Sequence, residues 1–392
     1  MEDQLAKQTK FMVLKECLAK MKTLVDDAKK CYAEEVTLDE EMMLVDGCFI
    51  LELFYGHRTS TGPQTDPLCY GFTFGKVISD LVLLENQIPF FVLETLFPLI
   101  VGRIVDRPDE DWSLTNYMRW CYANSIMPER NSNSSGGAKK SGWCSPSDFV
   151  LGVFGSAAAA KEEEGVQSGK NIDHYRTAKY YHHILHNLHY CYLPRDQTKT
   201  KISSQIEMPS ASELDYAGVK FVPDAGNDLF KFKFSEPKGL FRWCCRAHFV
   251  ITPLTIKDST ESLLRNLIAF EQCCPRISQH ITSYAEVMDM LVNTDKDIQV
   301  LERAGVLRNW LGATEDATDL FNKICKEIIV GEHFNDTCIK ATEYSKHFWP
   351  KNMAHVRRTY FDSPWTFIAF VVGFIAFVIS LVGFVRDSIK KG

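Results

Sequence analysis

From Trp365 to Val385 the chain runs through WTFIAFVVGFIAFVISLVGFV without a charged side chain, and Arg357 and Arg358 before it and Arg386, Lys390 and Lys391 after it close both ends. At 1.5 Å per residue a helix over those positions reaches about 31 Å, the thickness of a bilayer's hydrocarbon core. The pattern predicts one C-terminal transmembrane helix over 364–385, preceded by a juxtamembrane segment over 347–363 and followed by a short tail over 386–392. A span this close to the C-terminus leaves the ribosome only when synthesis ends. The expectation is therefore a single-pass protein of the plasma membrane or an endomembrane, with the lipid bilayer as a partner and the bulk of the chain in the cytosol. Basic residues balance across the span, so charge bias gives no orientation of its own.

The remainder is of ordinary globular composition. With 392 residues, 45% hydrophobic and 24% charged, the chain can bury a substantial core in one large domain or two smaller ones. A net charge of −6 leaves no general footprint for nucleic acid. The N-terminus, MEDQLAKQTKFMVLKECLAKM, mixes both charges and lacks the apolar run of a secretory signal. Thirteen cysteines show no repeated spacing, and the pairs Cys244/Cys245 and Cys273/Cys274 are adjacent rather than CxxC. They read as free, mostly buried thiols in a reducing compartment.

Periodicity places helices along most of the chain. Over residues 8–33, Leu14, Cys17, Leu18, Met21, Val25, Ala28 and Tyr32 recur at steps of three and four, as on an amphipathic helix. Thr37 and Glu40 suggest a capping box ahead of EMMLVDGCFILELFY, which is apolar on nearly every side and expected at the centre of the core. Residues 77–104 are dominated by apolar side chains. Asp80, Glu85, Asn86, Gln87 and Glu94 nevertheless interrupt them, and an acidic residue at the middle of a span costs about 2.5–3.5 kcal/mol on insertion scales. Pro89 then predicts two buried helices, or one kinked there.

Residues 130–172 are rich in Ser, Gly, Ala and charge and read as a flexible, outward-facing insertion suited to contact with an unidentified protein partner. Helical periodicity resumes over 173–193, and Ser210 with Glu213 gives another capping signal. The alternating runs VKFVP, LFKFKF and LFRWCCRAHFVIT predict a small sheet or hairpins near 218–256. Helices return from 258 to 346, with starts at Asp258 and Thr314.

Signatures of chemistry are sparse. GxSxG, Walker, GxGxxG-after-strand, HExxH and EF-hand patterns are all missing from the sequence. In HHILHNLH, His182, His186 and His189 share one helical face, with His183 displaced and Cys191 nearby. Such spacing can present two ligands to zinc, but one helix rarely closes a coordination shell and no second ligand pair is evident. The cluster reads as a surface or interface patch, and no metal or cofactor is expected. Asp46, Glu52, Asp80 and Glu85 lie in apolar helices, where a hydrolytic carboxylate pair would have shifted pKa values. Structural hydrogen bonding is the plainer reading, and the chain is not expected to be an enzyme. The sequons at Asn133 and Asn335 accept glycans only outside the cytosol. Within the C-terminal span every small residue falls in one series, Ala369, Gly373, Ala376, Ser380 and Gly383. That seam predicts homo- or hetero-oligomerisation through the span.

Several stretches resemble the plant family known as domain of unknown function 247. They are MMLVDGCFILELF at 42–54, DLVLLENQIPFFVLETLF at 80–97, ELDYAGVKF at 213–221, TESLLRNLIAFEQC at 260–273, ITSYAEVMDMLVNTDKDIQVLERAGVLRNWLG at 281–312, DLFNKICKEI at 319–328, and Pro364-Trp365. The resemblance implies a largely helical, membrane-attached plant protein of undefined biochemistry. Members tied to pollen and stigma recognition imply a narrower alternative, a self-incompatibility determinant. The chain departs from the family at the front, where members carry a leader before the region matching Met1, Glu2 and Lys7, which implies a truncated gene model or a missing first element. The expected architecture is mainly α with a small β element (α+β): an N-terminal helical part over 1–129, the insertion at 130–172, the remainder of the domain over 173–346, and the C-terminal segments above. The expected role is non-catalytic recognition, signalling or interaction.

Overall fold

In a computed structural model the described residues are 2–59, 71–104, 113–125, 181–194, 207–224, 230–237, 246–274, 276–329, 331, 333–347, 368–369 and 372–382. Along the chain the elements are α1 (Glu2–Lys29), α2 (Glu40–Thr59), α3 (Gly71–Asp80), α4 (Phe90–Ile100), α5 (Leu114–Ser125), α6 (Ile184–Tyr192), α7 (Ala211–Tyr216), β1 (Val219–Pro223), β2 (Phe232–Ser235), β3 (Ala247–Ile251) and β4 (Leu254–Ile256). They continue with α8 (Asp258–Cys273), α9 (His280–Leu291), α10 (Asp295–Arg303), β5 (Leu307–Asn309), α11 (Thr314–Ile324) and α12 (Asn335–Lys346). The mainly helical architecture with a small sheet stands. Two units emerge: one of residues 1–197, 226–230 and 255–282, the other of 198–225, 231–254 and 283–392.

In the first unit, α1 turns Cys17, Met21 and Ala28 inward and packs on α2 and α4. Asp39, rather than Thr37, caps α2: its Oδ1 accepts the Met42 N–H at 2.8 Å. The helix buries Met43, Leu44, Ile50, Leu51, Leu53 and Phe54, yet Met42, Val45 and Phe49 face solvent, so it is not apolar to the core on every side. Pro89 breaks the 77–104 stretch into α3 and α4, and Phe90, Val92, Leu93 and Leu96 carry α4 into the core. The polar residues between them satisfy the turn. Gln87 Nε2 donates to the carbonyls of Leu83 (2.6 Å) and Leu81 (2.9 Å), and Asn266 Oδ1 accepts the Leu84 N–H at 2.8 Å.

In the second unit β3 is the central strand. It runs parallel to β1, Val219 opposite Ala247, and antiparallel to β2, Phe232 opposite Ile251. A parallel pair cannot close as a tight hairpin, so β1 reaches β3 by a crossover, with β2 on the far edge. Alternation puts Val219, Phe221, Phe232, Phe234, Ala247, Phe249 and Ile251 inward, while Lys220, Lys233 and His248 point out. Tyr284 stacks on Phe232 with centroids 4.8 Å apart, and the Tyr344 hydroxyl on α12 accepts the Ala247 N–H at 3.3 Å. The Ser210 and Glu213 capping box opens α7 as expected, and α8 and α11 begin at Asp258 and Thr314.

The C-terminal transmembrane helix is corrected. Among the described residues no helix is long and apolar enough to cross a membrane, the C-terminus included. The single-pass anchor, and the membrane location inferred from it, are therefore not supported. Ala369, Gly373, Ala376 and Ser380 are exposed, and a Cβ on Gly373 would meet nothing within 4 Å. Gly383, the 130–172 insertion, the segment 348–363, the tail 386–392, Asn133 and the Cys244/Cys245 pair lie outside the described residues.

Close approach of α2 to α4 rests on Gly47, where an added Cβ would collide with Leu96 Cδ1 and touch Val92 Cγ1 at 3.8 Å, both neighbours being buried. Gly47→Val is expected to destabilise the protein by about 1–3 kcal/mol through overpacking. A denaturant titration should show a lower midpoint at unchanged slope.

Candidate functional site

Chemically versatile side chains concentrate where α6 meets α8 in the first unit. His183 precedes α6 with an extended backbone, and its Nδ1 accepts the His186 N–H at 3.2 Å. His186 Nδ1 in turn accepts the His182 N–H at 3.1 Å. The His183 imidazole thus serves at the N-cap, where Ser or Asp is common, and His186 in the first turn reaches back to the amide preceding that cap. Gln87 Oε1 takes the Leu185 N–H at 3.1 Å, and the His182 carbonyl accepts the Phe90 N–H at 2.8 Å.

Phe270 on α8 lies against the rings of His183, His186 and His189 with centroids 4.9, 5.3 and 5.5 Å away. Burial pushes His183 down to about 4, with repulsion from His182 adding to it. Burial likewise pushes His186 down to about 3, reinforced by His182, His183 and His189.

One turn further along α6, His189 Nε2 meets Glu271 Oε1 at 2.7 Å, and both side chains are shut off from solvent. Glu271 Oε1 also accepts the Ile281 N–H at 3.0 Å. Its Oε2 accepts the Thr282 N–H at 2.7 Å and the Thr282 hydroxyl at 2.6 Å. The carboxylate therefore caps the first turn of α9 from a different helix, where the positive end of the helix dipole favours an anion.

The surface-patch reading of the histidines is overturned, because His186 and His189 are buried by the apolar face of α8. Among the described residues no group of three His, Cys, Asp or Glu side chains is placed to hold a metal ion. Asp46, Glu52, Asp80 and Glu85 are all exposed, so the sequence reading of buried carboxylates is corrected as well. Only partial burial raises the Asp46 carboxyl.

Sequence reasoning missed Glu271. It stands four residues after Leu267 and seven after Leu264, so an ionisable group on an apolar helical stripe was the available signal. Also missed was Asp297 in the second unit, whose carboxylate accepts N–H bonds from Ser212 (2.7 Å), Asn293 (3.2 Å) and Thr294 (2.9 Å). Burial works to raise its pKa, but the bonds from Ser212, Ser210 and Thr294 prevail and hold it below the usual carboxylate range. Glu286 was missed with no pattern to reveal it: burial, then repulsion from Asp289, pushes it up to about 7.

Glu271→Ala should strand three donors and the His189 ring, costing about 3–5 kcal/mol. Glu271→Gln keeps the shape but sets an NH2 against one of those donors, for a smaller loss of about 1–3 kcal/mol. Chemical denaturation of both variants should give that order, and wild-type stability in the alanine variant would contradict the role assigned to the carboxylate.

Comparison with known proteins places the chain. It is 25% identical over 368 residues to UPF0481 protein At3g47200 of Arabidopsis thaliana, covering 88% of this chain and 68% of that protein. It is also 25% identical over 178 residues to Putative UPF0481 protein At3g02645 of the same plant, covering 45% and 32% respectively. No solved structure matches. Residues 1–379 match DUF247, described as a plant protein of unknown function, and the chain belongs to that family.

Proposed function

We propose that this protein is a non-catalytic interaction component that binds another protein through the outer faces of α1 and α2. The observation that carries this reading is an unbroken apolar stripe on α2. Met42, Val45 and Phe49, at i, i+3 and i+7, are 45%, 65% and 44% exposed, and Phe11, Met12 and Leu14 are exposed on α1, which packs beside α2. Scattered exposed apolar residues are ordinary, but rows of large ones rimmed by charge are typical of binding surfaces. Glu41, Asp46 and Glu52 provide an acidic rim along α2. The fitting partner carries an apolar knob flanked by Lys or Arg.

The non-catalytic part of the reading draws support from how the buried acids are used. Both oxygens of Glu271 and both of Asp297 are taken up by backbone and side-chain donors, an arrangement suited to holding helices in place. Asp46, Glu52, Asp80 and Glu85, the carboxylates of the hydrolase alternative, stand open to water rather than in a desolvated pair.

Val45→Asp with Phe49→Asp puts two charges on the stripe without touching the core, so the melting temperature should stay within a few degrees of wild type. Proximity labelling in native tissue should then lose a defined set of neighbours present with the unaltered chain. An identical set of neighbours from a folded double variant rules out this surface.

A further inference from the structure

We propose that the start of α6 is an acid-released latch: two imidazole nitrogens hold backbone N–H groups only while they carry no proton, so acidification frees α6 and the Gln87–Phe90 turn bonded to it. The argument is one of valence. A ring nitrogen that accepts a hydrogen bond offers its lone pair, and the same lone pair takes the proton when imidazole becomes imidazolium. His183 Nδ1 accepts from the His186 N–H and His186 Nδ1 accepts from the His182 N–H. Neither bond survives protonation of its acceptor. An uncapped N–H would then face a cation inside a buried aromatic cluster of Phe270 and Tyr181.

Among the described residues no carboxylate is bonded to His183 or His186. On the same segment His182 stacks on His186 at 5.0 Å and can only repel a second cation. From α8 the carboxylate bonded to this helix is Glu271, already engaged by His189, Ile281 and Thr282. On α5, which also packs on α6, the buried side chains Tyr117, Cys121 and Tyr122 are phenols and a thiol, and they turn toward Phe97 and Phe54. The turn before α4 presents Gln87, an amide.

The sign follows from the lowered values. The unfolded or opened segment takes up protons near the ordinary 6.5, whereas the closed one resists until about 4 at His183 and about 3 at His186. Closure is therefore at full strength above about pH 6.5 and weakens as pH falls below it. The opening constant grows by up to tenfold per pH unit for each ring, on the order of thirtyfold per ring at pH 5.

Hydrogen exchange of the full chain between pH 7 and pH 5, corrected for intrinsic rates, tests this. Amides of α6 and of the turn at Gln87–Phe90 should lose protection with a slope approaching two protons. His183→Asn, which can cap without titrating, should halve the slope, and His183→Asn with His186→Asn should abolish it. The single variant decides if the double one does not fold. Protection of α6 that is unchanged at pH 5, or that falls as steeply in His183→Asn as in wild type, overturns the latch.

Discussion

The first unit depends on a carboxylate that has no access to water. Moving an ionised Glu into an apolar interior without partners carries a penalty of several kcal/mol, which only well-placed donors offset. Glu271 finds them at two separate points of the chain, His189 on α6 and the Ile281 and Thr282 amides in the first turn of α9. That geometry couples elements separated by 82 residues in sequence. It also explains why α8 can place a charge on its apolar stripe: the position is apolar in periodicity but polar in its tertiary surroundings.

A related arrangement recurs in the second unit on a more local scale. Asp297 sits at the third position of α10, satisfies the backbone at Asn293 and Thr294 just before that helix, and reaches across to Ser212 on α7. Both acids act at helix starts, where unpaired N–H groups and the dipole favour negative charge. The start of α6 differs, since neutral imidazoles do the capping there. A proton on an accepting imidazole nitrogen removes the lone pair that makes the bond, whereas its donors hold the Asp297 carboxyl below the usual carboxylate range.

Legibility in the sequence varied with the range of the interaction concerned. Pro89 and the polar run around it marked the break between α3 and α4, because proline geometry and backbone satisfaction are local. The Ser210 and Glu213 box and the starts at Asp258 and Thr314 were readable for the same reason. The histidines misled. Their spacing located a helix for His186 and His189, while His182 and His183 precede it; spacing is also silent on what covers a face, and Phe270 covers this one. The apolar run at 365–385 misled differently, since hydropathy over a window speaks of composition, while a membrane span needs a continuous apolar helix of sufficient length, and among the described residues there is none.

The amino-acid order by itself determined the helical class, the presence of a small sheet, several helix starts and the family, all of which follow from periodicity, caps and short-range chemistry. Tertiary structure alone decided that β1 pairs in parallel with β3, that Met42, Val45 and Phe49 remain outside, and that Glu271 lies at the centre of a buried network. The physical reason is that burial and partner choice are set by segments far apart in the chain. A residue's type fixes which bonds it can make, and the fold fixes which of them it does make.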